Sequence, residues 1–210
     1  MWIDTHCHLD ASEFDADRQQ VANAAEAAGV RGIVVPAVAV WNFEAVRALA
    51  RHDARCVYAL GIHPLCSPGA GQADLDTLRR EVAASMGDPR FVEQGLKLGF
   101  GGNVTFSRAR QIRRLATELP LEALVLETDA PDMAPAWLSD DQFGEQHKAR
   151  NTPAEVAGVA RVMAELRGID AMTLAQATWR NAMDAMPRLA AFADTMAPPV
   201  SAGHTTSNSS

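Results

Sequence analysis

The sequence lacks several features that mark specialised classes of protein. It has only three cysteines, with neither CxxC nor zinc-knuckle spacing, which predicts unpaired thiols in a reducing compartment and places the chain in the cytoplasm. No apolar run approaches the ~20 residues that span a bilayer. The N-terminus carries Asp4 instead of the basic and apolar regions of a signal peptide. No GxGxxG follows the first apolar segment, which disfavours a dinucleotide-binding fold.

Positive charge is also scarce. The sequence has 19 lysines and arginines and 26 aspartates and glutamates, so the net charge is -7. This is the wrong sign for holding nucleic acid through counterion release. One basic cluster, SRARQIRR, contains Arg108, Arg110, Arg113 and Arg114; it is either a solvated helix face, as such charge runs usually are, or a cluster that steers a phosphate. If the chain acts on a polyanion, local groups must bind it.

Short apolar segments alternate with segments of helical periodicity. The five apolar segments are WIDTH, RGIVVPAV, CVYALGIHP, LKLGFGG and ALVLETDAP. This βα rhythm predicts an α/β fold with a parallel sheet, either doubly wound or closed as a (β/α)8 barrel. The length of 210 residues suits one domain, which we expect over residues 1–194. Residues 195–210 are rich in Pro, Ser and Thr and are predicted to be disordered.

The fragment DTHCHLD carries two histidines one residue apart. Alternate side chains of a strand share a face, so His6 and His8 should converge. This pattern fits either a polar strand end with solvated histidines or a divalent-metal site. His63 and Asp129 also end predicted strands, and carboxyl ends of parallel strands meet at one rim. A carboxylate joining two imidazoles there would make a catalytic metal site.

Five motifs resemble those of the TatD family of metal-dependent deoxyribonucleases, a branch of the amidohydrolase-like barrels. They are DTHCHLD, LGIHP, GFGGNVTF, LVLETDAP and RNTPAEV. The resemblance implies a TIM-type barrel that hydrolyses phosphodiesters, in DNA or a small ester, with two divalent ions such as Mg, Mn or Zn. Carried over by position, His6 and His8 would bind one metal. Asp129 would bind metal and orient the attacking water, and His63 would contact the substrate phosphate.

The chain departs from the family between LGIHP and GFGG. The family's GEIGLD motif with its bridging glutamate, and two later strands that each end in a ligand histidine, are missing. Only about ten residues, MGDPRFVEQG, stand there, too few for one further crossover of about a dozen residues. The sequence therefore predicts an internal deletion of three βα units. About five strands cannot close an eight-stranded barrel, so we expect an incomplete, open sheet.

Several polar and aromatic residues leave alternatives open. Glu93 is either the displaced bridging ligand or, as the FVEQG pattern favours, a solvated glutamate at a helix end. Arg150 follows a long polar segment and is a candidate for binding a substrate phosphate. The tryptophans Trp41, Trp137 and Trp179 are either packing residues, which this residue type favours, or platforms on which bases stack.

Three functional hypotheses remain from the sequence. The first is a TatD-like hydrolase of phosphodiesters, impaired by the lost ligands. The second is an inactive family remnant, and the third is a module that binds a metal or a partner. Under the first hypothesis, the three remaining ligands should hold one divalent ion, and phosphodiesterase activity should be near background. Open sheet edges also predict self-association.

Overall fold

The computed structural model describes residues 1–92, 97–138 and 149–189. Within these ranges it has five strands and six α-helices, separated by short 3-10 turns. The strands are β1 Trp2–Asp4, β2 Val30–Pro36, β3 Cys56–Ala59, β4 Leu98–Phe100 and β5 Leu124–Leu126. The helices are α1 Arg18–Ala27, α2 Phe43–His52, α3 Gln72–Ser85, α4 Arg110–Glu118, α5 Val156–Arg167 and α6 Ala171–Ala185. No described helix is long and apolar enough to cross a membrane.

All the paired strands run parallel. β2 pairs with β1 on one side and with β3 on the other, and β4 pairs with β5. The two groups meet where the amide and the hydroxyl of Thr5 both donate to the carbonyl of Leu126, at 3.0 and 2.9 Å. The resulting order is β4-β5-β1-β2-β3. Within the described residues the fold is therefore an open α/β arrangement of five parallel strands, as expected for a TIM-type barrel that is incomplete.

The segment after α3 corrects one interpretation of the sequence. Phe91 and Val92 are fully buried and extended rather than part of a helix end. Phe91 forms a parallel bridge with Tyr58 of β3, and the Val92 amide donates to the Tyr58 carbonyl at 2.8 Å. The backbone pairing with β3 outweighs the helical pattern of FVEQG. Glu93 lies in residues 93–96, outside the described ranges, so both interpretations of it remain predictions.

The two faces of the sheet bury different sets of side chains. Ile33 and Val35 belong to a large cluster formed with the helices, whereas Val34 between them belongs to a second cluster. That second cluster is completed by Met186 and Leu189, just beyond α6. Strand alternation explains the division, and burial on both faces explains why β2 is apolar almost throughout.

Helix α6 was not predicted from the sequence. Its N-cap is Asp170, whose carboxylate accepts from the amides of Met172 and Thr173, both at 2.9 Å. From the middle of the helix, Asn181 donates to the carbonyls of Leu121 and Leu124, both at 2.7 Å. The capping pattern was the available signal. The predicted disordered tail, residues 195–210, lies outside the described ranges.

Asp53 provides a prediction for acid stability. Burial alone would raise the pKa of this carboxyl, but hydrogen bonds from the guanidinium of Arg55, at 2.6 and 2.8 Å, outweigh it and hold the pKa below its usual range. A depressed carboxyl pKa contributes stability above the unfolded-state value of about 3.9 and loses it as pH falls through the folded-state value. Asp53→Asn should therefore cost ~1–2 kcal/mol at pH 7.

The check is denaturant unfolding of both proteins from pH 7 to pH 2. The difference in unfolding free energy should shrink steadily below about pH 4. A difference that stays constant over that range would contradict the role assigned to the Asp53 carboxylate.

The open edge of the sheet is expected to promote self-association. Within the described ranges β4 pairs with β5 alone, and Leu98 on this strand is half exposed. An unpaired, apolar strand edge is a template for a second chain. Light scattering should show dimers or larger species, and Leu98→Lys should reduce them, whereas Met172→Lys on exposed α6 surface should not. A monomer at all concentrations would refute this prediction.

Candidate metal centre

Three predicted ligands meet at the carboxyl end of the sheet. The Nε2 atoms of His6 and His8 are 3.2 Å apart, and Asp129 Oδ1 lies 3.5 Å from the first and 3.7 Å from the second. β1 ends at Asp4, so the histidines lie in the segment beyond the strand rather than in the strand itself. Their predicted convergence nevertheless occurs. Among the described residues, these three form the one group of three or more side chains that could hold a metal.

The spacing of the three atoms fits a single divalent ion. Ligands ~2.1 Å from a tetrahedral zinc lie roughly 3.4 Å from each other, and those of an octahedral ion lie somewhat closer. The three measured separations, from 3.2 to 3.7 Å, bracket this value. The side chains keep about a fifth to a third of their surface exposed, so a substrate can reach the centre. The donor set therefore fits one catalytic ion with open positions.

The protonation of His6 favours a metal over a proton. Burial lowers its pKa, the neighbouring His8 lowers it further, and Asp129 only partly offsets these effects. A metal binds the neutral imidazole and must displace any proton from it. Burial of His6 therefore reduces competition from protons near neutral pH.

Backbone geometry directs Asp129 into the centre. Asp129 has φ of 55°, in the left-handed region where aspartate is among the better tolerated residues. Its amide donates to the carbonyl of His6 at 2.9 Å, which ties the ligand loop to the histidine segment. The conformation of Asp129 is thus supported by a hydrogen bond between two candidate ligand residues.

A buried polar network supports this loop and was missed from the sequence. The Asp4 carboxylate accepts from the Thr128 hydroxyl at 2.6 Å and from its amide at 3.0 Å. Burial raises the pKa of Asp4 to about 8 despite these bonds. Asn151, from the RNTPAEV motif, donates to the carbonyls of Thr128 and Asp132, at 2.8 and 2.6 Å. Asp4 of DTHCHLD and Asn151 of RNTPAEV therefore both help to position Asp129. From their residue types alone, the first motif suggested only a polar strand and the second only the start of a helix.

His63 lies beside the ligands without joining them. It is close enough to His6 to help lower the pKa of His6. Its Nδ1 accepts from the Leu65 amide at 3.2 Å, which places the proton of the neutral ring on Nε2. That nitrogen is then a hydrogen-bond donor, as contact with a phosphate oxygen requires.

Arg150 is engaged elsewhere. Its guanidinium donates to the carboxylate of Asp17 at 2.6 Å and to the carbonyl of Glu13, and it lies 4.5 Å from the centroid of the Phe14 ring. These contacts tie residue 150 to the segment before α1. They explain Arg150 as a structural residue, and its predicted role in phosphate binding gains no support from them.

Glu127 occupies the interior beside the centre. Burial, followed by the charge of Asp129, raises its pKa to about 7. Its carboxylate lies against Gly99, where a Cβ atom would come within 2.4 Å of Oε2. Glycine at the first position of GFGG therefore makes room for the carboxylate of Glu127 in this position. With His6 and Lys97, these residues line a cavity of about 110 Å³.

The remaining candidates lie on the surrounding surface. Arg113 donates to the Val104 carbonyl at 2.9 Å, and Arg114 lies 3.8 Å from Glu118, as expected for a solvated helix face. Trp137 donates to Glu155 at 2.6 Å, which agrees with a packing role. Trp41 does not pack: 78% of it is exposed. The long polar segment before Arg150 falls largely in residues 139–148, outside the described ranges.

Comparison with known proteins gives consistent matches. The chain is 29% identical over 255 residues to the uncharacterized metal-dependent hydrolase YjjV of Escherichia coli K12, covering 86% of this chain and 95% of that protein. It is 21% identical over 270 residues to the deoxyribonuclease TATDN3 of Homo sapiens, and the alignment covers 89% of this chain and 95% of that protein. The crystal structure of Escherichia coli YjjV, described as a TatD homolog, superposes with a TM-score of 0.76 at 26% identity. The superposition covers 89% of this chain and 98% of the YjjV chain.

The alignments also bear on chain length. Because the YjjV alignment runs over 255 residues and this chain has 210, at least 45 aligned positions have no counterpart here. The model of the family described as TatD related DNase matches in two segments, residues 3–88 and 83–186, which meet where the sequence predicts the deletion. These segments cover most of the chain, and it therefore belongs to the TatD related DNase family of metal-dependent hydrolases.

Proposed function

We propose that this chain hydrolyses phosphodiester bonds slowly, at a centre that holds one divalent ion. The observation that carries the proposal is the convergence of His6, His8 and Asp129 within 3.7 Å of one another at an accessible rim. The deoxyribonuclease name of the human relative supports a phosphodiester as the substrate class. A bound ion would act as a Lewis acid and lower the pKa of water at this rim.

The donor set indicates which ions to test first. Imidazole nitrogen suits Zn²⁺ better than Mg²⁺, whereas a carboxylate accommodates Mn²⁺ and Mg²⁺. Two imidazoles and one carboxylate favour Zn²⁺ or Mn²⁺ over Mg²⁺. His6 and His8 would bind through Nε2 and Asp129 through Oδ1, since these atoms face one another.

His63 would orient the substrate. Because Nδ1 accepts from the Leu65 amide, the Nε2 proton is available to a non-bridging phosphate oxygen. Its position near His6 would bring that oxygen beside the centre. His63 thus holds the anionic group, while Asp129 contributes the negative charge that stabilises the ion.

The expected rate is low because a second ion has no ligands of its own. A two-metal site clamps both the attacking and the leaving oxygen with ions ~3.5–4 Å apart. Among the described residues, no second group of three metal-ligating side chains stands beside the first. Losing several kcal/mol of charge stabilisation would lower the rate by roughly two to four decades, since each ~1.4 kcal/mol is tenfold.

The test is hydrolysis of bis(p-nitrophenyl) phosphate by purified protein with Zn²⁺, Mn²⁺ or Mg²⁺. We expect slow, metal-dependent turnover that falls to background in Asp129→Asn and is reduced in His63→Gln. Met172→Ala, on exposed surface of α6, is the matched control and should behave as the wild type. Turnover unaffected by Asp129→Asn would refute the proposed site. Fast turnover abolished by it would show that one ion suffices.

A further inference from the structure

An apolar groove lies at the same rim of the sheet as the metal centre. Its walls come from the segments that follow β2 and β3, and its volume is about 360 Å³. We call it the Trp41 groove; its principal lining residues are Val40, Trp41, Ile62, Cys66, Ala70 and Asp74. A concave, mostly apolar site of this size with one polar group is typical of a small-molecule subsite.

Trp41 is exposed on a turn whose backbone is anchored. The core does not use its indole, which is 78% exposed, whereas the next two residues, Asn42 and Phe43, are only 3% and 4% exposed. The side chain of Asn42 accepts from the amides of Val38 and Ala39, at 3.0 and 3.2 Å. These bonds anchor the turn that carries Trp41, and the ring itself faces solvent.

His63 lies between the groove and the metal centre: it follows Ile62 of the groove wall in sequence and is close enough to His6 to lower the pKa of that residue. Ile62 and Cys66, both in the groove wall, flank His63 in sequence. The His63 amide donates to the Val38 carbonyl and its carbonyl accepts from the Cys66 amide, both at 2.8 Å. These bonds join the segments after β2 and β3. A ligand whose phosphate contacts His63 would therefore extend along these segments into the groove.

Charge sets the direction in which a ligand would lie. Asp74 lines the groove, and its carboxylate accepts from the Gly71 amide at 2.8 Å. A phosphate would be repelled by this carboxylate and attracted to a cation held by His6, His8 and Asp129. The groove therefore suits a neutral group, and the exposed indole suits a flat aromatic one.

We propose that the Trp41 groove binds the nucleobase of a nucleotide substrate, stacked on Trp41, while the attached phosphate lies at the metal centre. This assignment rests on the proposed function. A second copy of the chain fits less well, because a stable interface buries about 800 Å² on each partner, whereas the groove is a concave site of about 360 Å³, the size of a small-molecule pocket. Stacking on an aromatic ring is tolerant of sequence, so any base should bind.

The experiment compares two ligands that differ only in the base. Adenosine 5′-monophosphate and ribose 5-phosphate are titrated by calorimetry, with Zn²⁺ present, into wild type, Trp41→Ala and Trp41→Phe. Stacking on an aromatic ring should make the wild type bind the nucleotide ~5- to 150-fold more tightly than the sugar phosphate. Trp41→Ala should remove this preference without changing affinity for ribose 5-phosphate, and Trp41→Phe should retain most of it. Trp137→Phe is the control.

Three outcomes would overturn the assignment. They are equal affinities for the two ligands in wild type, a preference unchanged by Trp41→Ala, and a dimer without base preference that Trp41→Ala dissociates. The last would assign the groove to a second copy. The proposed function fails separately: base-selective binding without turnover of bis(p-nitrophenyl) phosphate would refute phosphodiester hydrolysis but leave the Trp41 groove as a nucleotide site.

Discussion

Replacing Asp129 with asparagine is expected to weaken binding of a divalent ion by more than ~100-fold, since losing even the outer partner of a metal ligand typically costs 10- to 100-fold. Asp129 is the only carboxylate in the described three-ligand group. Asparagine removes its charge while still tolerating the φ of 55° at this position. The backbone should keep its course, so the loss should appear in metal affinity rather than in folding. Competition with a chromophoric chelator measures it.

A matched variant separates the ligand from its acidic neighbour. Glu127→Gln removes a carboxylate that lies close to Asp129 but outside the three-ligand group. It should change metal affinity far less than Asp129→Asn does. Comparable losses in the two variants would indicate that overall negative charge, rather than coordination by Asp129, holds the ion.

Gly102→Ala is expected to destabilise the protein by ~3 kcal/mol or more, at the upper end of the range for overpacking. A Cβ atom at this position would lie 1.9 Å from the carbonyl oxygen of Met133 and 2.9 Å from backbone atoms of Ala134 and Pro135. Because the obstructing atoms are all backbone, no side-chain rotation relieves the clash. The loop that follows Asp129 must move, and metal affinity should fall with stability.

Gly87→Ala provides the control, because a Cβ there meets nothing within 4 Å. Urea unfolding of both variants measures the difference in free energy. If the Gly102→Ala protein were as stable as the Gly87→Ala protein, the backbone of residues 133–135 would not approach Gly102 closely enough to exclude a Cβ atom.

The sequence predicts which candidate ligands lie together, because the ends of parallel strands are a strong constraint. Parallel strands bring their carboxyl ends together, so His6, His8 and Asp129 could be placed at one rim before any coordinates were known. The buried hydrogen-bond network that positions Asp129 was not predictable in the same way. Asp4, Thr128 and Asn151 are distant in sequence, and nothing in their residue types indicates that they bond to one another.

Two predictions from local sequence patterns, the helix end at FVEQG and the packing role of Trp41, differ from the structure for physical reasons. FVEQG has the spacing of a helix end, but backbone pairing of Phe91 and Val92 with β3 outweighs that propensity. Trp41 was interpreted as a packing residue because buried tryptophan is common, yet its side chain is 78% exposed. Burial of a single aromatic residue depends on tertiary contacts that periodicity does not encode.

The most direct test of the account is the number of divalent ions bound per chain, measured by equilibrium dialysis with Zn²⁺ or Mn²⁺ and elemental analysis. The three-ligand geometry predicts one ion per chain in the wild type and none retained by His6→Ala or Asp129→Asn. Two ions per chain, or one ion that persists in both variants, would contradict the assignment of the metal centre to His6, His8 and Asp129.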